Sequence, residues 1–261
     1  MPLLALKNIS IGYDGYFVQS NLSLQADEGS FVCLLGTNGC GKSTLLRTIA
    51  GLLPPLAGEI VTGNADHGDL HAADGKTMAV VLTDRMSADR TTVHDVVAMG
   101  RYPYTSFLGT LTRYDEDVIT EALQCMDMFE KSKCFFNHLS DGEKQRALIA
   151  KALAQQTPFI LLDEPTAHLD LPNRIKTLVL LRKIAHNGPL SSGLRRTIII
   201  STHELDLALQ TADIVWLMTP HGGIEVGSPD ALVCSGRFQQ AFSDPLFTFE
   251  NTDGRLQLKI N

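Results

Sequence analysis

Four short apolar runs are the clearest pattern along the chain. Each is apolar at nearly every position, and they are Phe31–Leu35, Phe159–Leu162, Thr197–Ser201 and Ile214–Met218. Such a run is typical of a strand that is buried on both faces of a sheet. Helical patterns separate the runs, as in Leu171–Ala185. This alternation predicts an α/β fold, with a parallel sheet and helices packed on both of its faces.

The stretch from Thr92 to Ala154 has helical spacing and little strand character. One amphipathic helix is indicated by apolar residues at that spacing, namely Val118, Ala122, Leu123, Met126 and Phe129. Another helix begins at Ser140–Glu143 and continues through Leu153. We therefore expect a helical insert within the core. Residues 1–30 and about 56–82 are divided by turns into short strand-like segments, which indicate a small antiparallel sheet.

Composition narrows the class of protein. The chain has 261 residues, 44% of them hydrophobic, which is enough for one core or for one core with a satellite subdomain. We expect a cytosolic chain, because no apolar run approaches about 18–20 residues and the first residues do not resemble a signal peptide. The net charge of −7 argues against nucleic acid as the main partner. Five cysteines without a Cys-x-x-Cys pair indicate reduced thiols.

A glycine-rich segment lies between the first apolar run and a helical pattern. Residues 36–44 spell Gly-Thr-Asn-Gly-Cys-Gly-Lys-Ser-Thr and satisfy the pattern G-x-x-x-x-G-K-[ST]. In this pattern backbone N–H groups surround phosphate oxygens, the lysine reaches the β- and γ-phosphates, and the serine hydroxyl holds Mg²⁺. The strand-loop-helix context disfavours the alternative, a glycine turn with a solvated lysine. We therefore predict that ATP and Mg²⁺ bind at Gly36, Thr37, Asn38, Gly39, Cys40, Gly41, Lys42, Ser43 and Thr44.

Two carboxylates, Asp163 and Glu164, follow the second apolar run. Because the carboxyl ends of parallel strands meet at one edge of a sheet, we expect both residues to face the same crevice as the glycine loop. Asp163 suits Mg²⁺, directly or through water, and Glu164 suits polarisation of the attacking water. Without the loop, a solvated turn would be the better interpretation of this pair.

Further motifs resemble those of the nucleotide-binding subunits of ABC transporters, in the order and at about the spacing of that family. Leu139–Gln145 is Leu-Ser-Asp-Gly-Glu-Lys-Gln, which is similar to the family's signature, usually Leu-Ser-Gly-Gly-Gln-x-Gln. Ala167–Asp170 looks like the D-loop, and His203 falls at the position of the switch histidine. The resemblance covers most of the chain.

The resemblance implies a P-loop NTPase fold, with a RecA-like parallel core, a small antiparallel β subdomain and an inserted helical subdomain. It assigns catalysis to Glu164, His203 and Lys42, and it places the chain in a homodimer that encloses two ATP molecules. In the family the residues equivalent to Ser140 and Gly142 contact the γ-phosphate bound to the opposite subunit. Ser140 and Glu143 also fit a helix capping box that needs no ligand, and both roles can hold.

Two further nucleotide contacts follow from the resemblance. Asp170 belongs to the nucleotide-contacting set. Tyr13 falls where the family stacks an aromatic ring on adenine, although Tyr16 or Phe17 could supply that ring.

The resemblance also implies one ABC ATPase domain over residues 1–261. Residues 1–91 are expected to hold the phosphate-loop half of the core with the antiparallel part, and residues 92–155 the helical signature subdomain. Residues 156–225 are expected to complete the core, and residues 226–261 form a C-terminal segment.

Gly100-Arg-Tyr-Pro103 resembles a segment of the ATPases of iron–siderophore, haem or cobalamin importers. The leading hypothesis is therefore an ATPase that energises such an importer. Its expected partners are two polytopic permease subunits and, indirectly, a substrate-binding protein, on the cytoplasmic face of the inner or plasma membrane of a bacterial-type cell. The alternatives are an ABC ATPase that is not coupled to transport and a slow or degenerate nucleotide-binding regulator.

Three departures from the family pattern affect the expected rate. The slot of a family glutamine that touches Mg²⁺ and water holds Thr83, with Asp84 next, and either side chain could take over that contact. In the signature, Asp141 and Glu143 add carboxylates that should weaken γ-phosphate binding unless Lys144 or Arg146 offsets them.

Cys40 in the loop is interpreted as a variable slot in preference to a redox switch, which needs a reactive thiolate.

Overall fold

A computed structural model describes residues 2–62, 75–82, 90–107, 109–187, 195–219, 222–242, 246–252 and 255–260. The strands are β1 (Pro2–Tyr13), β2 (Tyr16–Asp27), β3 (Phe31–Leu35), β4 (Ala57–Thr62), β5 (Met78–Val81), β6 (Phe159–Asp163), β7 (Thr197–Ser201), β8 (Ile214–Met218), β9 (Ile224–Gly227), β10 (Phe247–Thr252) and β11 (Arg255–Ile260). The helices are α1 (Lys42–Ile49), α2 (Val93–Ala98), α3 (Arg113–Cys125), α4 (Asp141–Ala154), α5 (Leu171–Asn187), α6 (Leu205–Thr211), α7 (Pro229–Cys234) and α8 (Arg237–Phe242). Among these described segments, none of the helices has the length and hydropathy needed to span a bilayer.

The core is a six-stranded sheet in the order β5-β6-β7-β3-β8-β9. Neighbouring strands pair in parallel, except that β9 runs antiparallel to β8. All four predicted apolar runs are strands of this sheet, and β3, β6 and β7 are buried along their whole length. Their carboxyl ends therefore lie along one edge of the sheet, and the loops that follow them begin there.

A separate three-stranded antiparallel sheet has the order β2-β1-β4. The predicted antiparallel sheet is confirmed for residues 1–30 and for the first part of 56–82. The prediction was wrong for Met78–Val81, which pairs in parallel with β6 at the edge of the core sheet. A run of four apolar residues fits either sheet, and contact with a distant strand decides between them.

The two faces of the core sheet pack against different layers. On β3, Phe31, Cys33 and Leu35 face one apolar cluster, while Val32 and Leu34 face the other. The second cluster joins the sheet to α1 and to the antiparallel sheet. The first joins it to α5 and to the helices of the insert. Because strand side chains alternate in direction, a strand that is apolar at every position is needed to hold both layers.

The predicted helical insert is confirmed, and α4 packs against both α2 and α3. Its first long helix is shorter than predicted. Helix α3 ends at Cys125, Asp127 adopts a positive φ of 54°, and Phe129 begins a separate 3₁₀ turn, Phe129–Lys131. Met126 and Phe129 kept the apolar spacing of the helix, but a left-handed residue stops helical hydrogen bonding whatever the spacing is.

Arg101 is a buried charge that ties the insert together. Its side chain is 2% exposed, and Nε donates to Asp115 Oδ1 at 2.8 Å, at the start of α3. A terminal nitrogen donates to the carbonyl of Ala154 at 2.8 Å and to Gln156 Oε1 at 2.9 Å, at the end of α4. Burial would raise the pKa of Asp115, but hydrogen bonds from Thr112 and Arg101 hold that pKa below its ordinary value.

The same region connects the insert to the core sheet. The Arg101 guanidinium lies 4.1 Å from the centre of the Tyr104 ring, and Tyr104 Oη donates to the carbonyl of Gln155 at 2.9 Å. Gln155 Nε2 in turn donates to the carbonyls of Gly75 at 2.7 Å and Met78 at 3.0 Å. The Gly100–Pro103 segment is therefore part of the joint between the insert and edge strand β5.

We expect Arg101→Met to lower the free energy of unfolding by about 3–5 kcal/mol, because it leaves the Asp115 carboxylate buried without its cation. Urea unfolding followed by circular dichroism measures this loss. Arg113→Met, at an exposed position of α3, is the matched control and should change stability by less than about 0.5 kcal/mol. Equal stability of the two variants would contradict the structural role given to Arg101.

Candidate nucleotide-binding site

The glycine-rich loop connects β3 to α1 and depends on two glycines. Gly36 has a φ of 155°, and a Cβ there would lie 2.6 Å from Cys40 Sγ and 2.9 Å from the carbonyl oxygen of Met218. Gly41 caps α1 with a φ of 107°, and a Cβ there would lie 2.6 Å from Val18 Cγ1. A larger residue at either position would clash with these atoms and would have to adopt a strained backbone, so the tight curve of the loop requires glycine.

The side chains at the start of α1 differ in exposure. Lys42 is 6% exposed, and its Nζ donates to the carbonyls of Gly36 at 2.8 Å and Thr37 at 3.1 Å. The ammonium group is therefore held across the mouth of the loop. Ser43 is exposed, whereas Thr44 is buried and its hydroxyl lies 3.4 Å from Tyr13 Oη.

Tyr13 is thus the aromatic residue of the β1–β2 turn that reaches the loop. It is 45% exposed, while the alternatives Tyr16 and Phe17 are 82% and 59% exposed. Because Tyr13 is partly exposed beside the loop, its ring is accessible to a flat ring stacked on it.

Gln19 braces the loop and was missed by sequence reasoning. Its Nε2 donates to the carbonyls of Cys40 at 3.1 Å and Thr219 at 3.3 Å, and its Oε1 accepts from the Gly223 backbone at 2.8 Å. The alternation of Leu22, Leu24 and Ala26 would place residue 20 inside, not residue 19. Asn21 adopts a φ of 56° and the β1–β2 register shifts near it, so the alternation changes phase.

Cys40 is buried within the loop, with its sulfur packed against Gly36. Burial raises the pKa of the Cys40 thiol above its ordinary value, and the nearby Lys42 ammonium offsets this only in part. A higher pKa leaves less thiolate at neutral pH, and the thiolate is the reactive species. These properties favour a packing role over a redox switch.

The carboxylates after β6 are held by β7. Asp163 is 1% exposed, and its Oδ1 accepts from the Ser201 hydroxyl at 2.6 Å. The same hydroxyl accepts from the Glu164 backbone N–H at 2.9 Å. Glu164 adopts a φ of 49°, which turns the chain sharply at the end of the strand. Ser201 therefore orients both residues, and only the parallel pairing of Asp163 with Ser201 reveals this role.

Glu164 and His203 lie side by side, with His203 Nδ1 3.7 Å from Glu164 Oε1. Both side chains are partly exposed, His203 at 53% and Glu164 at 29%. Since β6, β7 and β3 end at the same edge, this pair shares that edge with the glycine loop. The fold thus gathers the glycine-rich loop, a buried carboxylate and a partly exposed Glu–His pair at one edge of the sheet.

The predicted signature residues form the start of α4. Ser140 is its N-cap, and a capping box joins the Ser140 hydroxyl to the Glu143 backbone and the Glu143 carboxylate to the Ser140 backbone. Gly142 packs on the loop that precedes α5, since a Cβ there would lie 2.9 Å from Leu169 Cδ2. Asp170 ends that loop, and its Oδ1 accepts from the Asn173 backbone at 3.1 Å.

Both acidic residues of the signature are paired with lysines. Asp141 lies 3.5 Å from Lys144 Nζ, as anticipated. Glu143 pairs with Lys131, which no sequence pattern indicated, because this lysine lies in the 3₁₀ turn after α3. Arg146, the other candidate, donates to Asn173 Oδ1 at 3.4 Å instead. The Lys131 hydrogen bond and the Ser140 backbone together lower the pKa of Glu143 to about 2.

One candidate metal ligand, Thr83, lies with its neighbour Asp84 outside the described residues. Its proposed contact with metal or water therefore stays a prediction.

Comparison with known proteins decides the family. The sequence model of the family described as "ABC transporter" matches residues 19–167. This chain belongs to the ABC transporter family. It is 36% identical to an uncharacterized ABC transporter ATP-binding protein of Methanocaldococcus jannaschii, over 99% of this chain and 88% of that protein. The predicted resemblance to ABC transporter ATP-binding subunits is confirmed.

Two further relatives have more specific names. The chain is 32% identical to a protein of Bacillus subtilis named as a probable siderophore transport system ATP-binding protein, YusV. That match covers 95% of this chain and 90% of the relative. A solved structure described as a metal-chelate type ABC transporter in an inward-facing conformation has a TM-score of 0.79 and 25% identity, and the match covers 99% of this chain and 96% of that chain. These comparisons confirm the predicted P-loop ATPase fold.

We expect the Cys40 thiol to react with iodoacetamide at least roughly tenfold more slowly than Cys134 and Cys234, because it is buried and its pKa is raised. Mass spectrometry of peptides sampled over a time course at pH 8 measures the three rates in one folded sample. After unfolding in urea the three thiols should react at similar rates. Rapid labelling of Cys40 in the folded protein would restore the redox-switch hypothesis.

Proposed function

We propose that this ABC subunit binds and hydrolyses ATP to drive a membrane importer of a metal chelate, of the iron–siderophore, haem or cobalamin class. The observation that carries the hydrolysis part of the proposal is the Glu164–His203 contact of 3.7 Å, at the sheet edge where the glycine loop begins. A binding module needs only the loop. Hydrolysis also requires side chains that act on the attacking water, and a carboxylate with a neighbouring histidine beside the loop can do this.

The residues of the loop fit a nucleoside triphosphate. A loop that has no space for Cβ atoms at Gly36 and Gly41 would present its backbone N–H groups to phosphate oxygens, and α1 begins at the end of that loop with its positive end. Lys42 would exchange its contacts with the loop carbonyls for the β- and γ-phosphates. Thr37, Asn38, Gly39, Cys40 and Thr44 would complete the cradle, and the partly exposed ring of Tyr13 would stack on adenine.

The donor set also fits Mg²⁺, which prefers hard oxygen ligands. The exposed Ser43 hydroxyl and the Asp163 carboxylate are such ligands, and Thr83 is the third one proposed. When bound, the ion would neutralise the phosphate charge that develops during transfer. Ser201 would keep the Asp163 carboxylate in place through its 2.6 Å hydrogen bond.

Hydrolysis would rest on Glu164 and His203. The Glu164 carboxylate would accept a hydrogen bond from the attacking water and align it with the γ-phosphate. His203, 3.7 Å away, would orient that carboxylate and contact the γ-phosphate. The Ser201 hydroxyl accepts a hydrogen bond from the Glu164 backbone N–H, so it would hold the backbone of Glu164 in place while the carboxylate stays exposed to water.

A second copy of the chain would complete each site. Ser140 is exposed at the start of a helix of 14 residues, a place where backbone N–H groups favour an anion. We assign Ser140 and Gly142 to the γ-phosphate held by the partner copy, and Asp170 to the same interface. Closing two copies around ATP would then be coupled to hydrolysis.

The membrane partner is proposed to be a pair of polytopic permease subunits, with this chain on the cytoplasmic face of the membrane and a substrate-binding protein delivering cargo. The insert exposes Tyr102 at 58% and Phe107 almost completely, in the segment that follows Arg101. Exposed aromatic side chains are enriched in surfaces that contact another protein. The names of the siderophore-system relative and of the metal-chelate transporter support the cargo class.

We expect Glu164→Gln to reduce ATP hydrolysis by at least about 100-fold, because the amide cannot accept a proton from water. ATP binding should persist, since the loop is unchanged. Phosphate release and fluorescent-nucleotide binding measure the two properties. Glu28→Gln, at an exposed turn, is the control and should keep the wild-type rate. An unchanged rate in Glu164→Gln would remove the catalytic assignment.

Transport is tested by reconstituting the chain with a permease encoded beside its gene. We expect ATP-dependent uptake into vesicles of one member of the set ferric siderophore, haem and cobalamin. Lys42→Ala should abolish that uptake because the phosphates lose their cation. If an active ATPase moves none of the three, the ATPase assignment stands and the cargo class is wrong.

A further inference from the structure

The signature helix carries an anion of its own. Glu143 lies in the first turn of α4, where one carboxylate oxygen, Oε2, accepts from the Ser140 backbone at 3.0 Å. The start of a helix attracts negative charge through its unpaired N–H groups. A carboxylate whose charge is not compensated at this place would therefore repel a phosphate that approaches the start of the helix.

Lys131 holds the other oxygen of that carboxylate. Its Nζ donates to Glu143 Oε1, so a single carboxylate joins the helix cap to the 3₁₀ turn Phe129–Lys131. Lys131 is 46% exposed and Glu143 is 19% exposed, so the pair lies at the surface that contains Ser140. The two oxygens point to different partners, which fixes the plane and direction of the carboxylate.

Charge is balanced at the start of α4 by a second pair. Asp141, also in the first turn, lies 3.5 Å from Lys144 Nζ. With both pairs present, the two acidic side chains face two ammonium groups. Without Lys131, the signature would keep one uncompensated negative charge, which would repel a phosphate brought by another copy.

We propose that Lys131 is a positioning residue for the trans nucleotide contact: it holds and neutralises Glu143 so that Ser140 can receive the γ-phosphate bound to a second copy. This inference rests on the proposed function, in which the signature acts across a dimer. Lys131 itself touches no nucleotide. Its effect passes through Glu143 and the cap, and it compensates for the carboxylate that this chain has where the family usually has glutamine.

The position in trans makes the inference specific. The nucleotide is held in one copy by the Gly36–Thr44 loop, to which Lys131 does not belong. Removal of Lys131 should therefore leave the affinity of a single copy for MgATP unchanged and weaken only steps that need two copies. A variant that merely damaged the fold would change both.

The test uses the full chain with Glu164→Gln, which is expected to retain ATP without hydrolysing it. Lys131→Met, Lys131→Arg and Lys131→Met with Glu143→Gln are compared with Glu143→Gln alone. Lys133→Met, two residues away and exposed, is the matched control. Sedimentation measures the MgATP concentration for half-maximal dimer formation, and fluorescent ATP at low protein concentration measures binding to one copy.

We expect Lys131→Met to raise the MgATP concentration for half-maximal dimer formation by about 3- to 10-fold, the effect of one uncompensated charge at a partly exposed site. Binding to one copy should not change. Lys131→Arg and Lys133→Met should behave as the parent. Adding Glu143→Gln to Lys131→Met should restore dimer formation to the value of Glu143→Gln alone, because no charge then remains to be neutralised.

Two results would overturn the role of Lys131. Dimer formation by Lys131→Met at the parent's MgATP concentration would show that the pair does not matter. An equal defect in the double variant would show that Lys131 acts by some route other than Glu143. Failure of the proposed function would be different, since the parent and all variants would bind MgATP and none would dimerise.

Discussion

Parallel pairing of β3 with β7, and of β7 with β6, is the constraint on which the candidate site depends. It brings to one sheet edge the loop after Leu35, the Asp163–Glu164 turn and the segment after Ser201. The pairing is possible because all three strands are apolar at nearly every position and can be covered on both faces. The register of β6 and β7 also places the Ser201 hydroxyl where it contacts Asp163 and Glu164 at the same time, so it orients both residues.

Polar groups add to the apolar cluster that attaches the insert to this sheet. Arg101 joins the start of α3 to the end of α4, and Gln155 continues the connection to edge strand β5. These groups are buried or partly buried, so their geometry is strict and a missing partner would be costly. At the other end of α4, Gly142 packs against Leu169 of the core. Helix α4 is therefore anchored at both ends, and Ser140 at its start stays exposed.

Several residues show where sequence reasoning succeeded. The apolar runs located four core strands, and the glycine pattern located the loop, since both signals are local. The predictions for two segments were wrong for the same physical reason. Met78–Val81 and the residues after Cys125 carry patterns that fit more than one structure, and contact with β6 or a left-handed Asp127 decided the outcome. Sequence reasoning missed Ser201 and Lys131 because each contacts a residue that is distant in the sequence. It missed Gln19 because the alternation of β2 changes phase near Asn21.

Periodicity along the chain was enough to predict the class of sheet. Motifs of fixed spacing indicated the chemical types of the candidate residues and, through their resemblance to known motifs, the family. Which groups meet became visible only in the folded chain: Glu164 with His203, Asp163 with Ser201, and Glu143 with Lys131. Hydrogen bonds and ion pairs act over a few ångströms, and distances on that scale are set by strand register and helix packing.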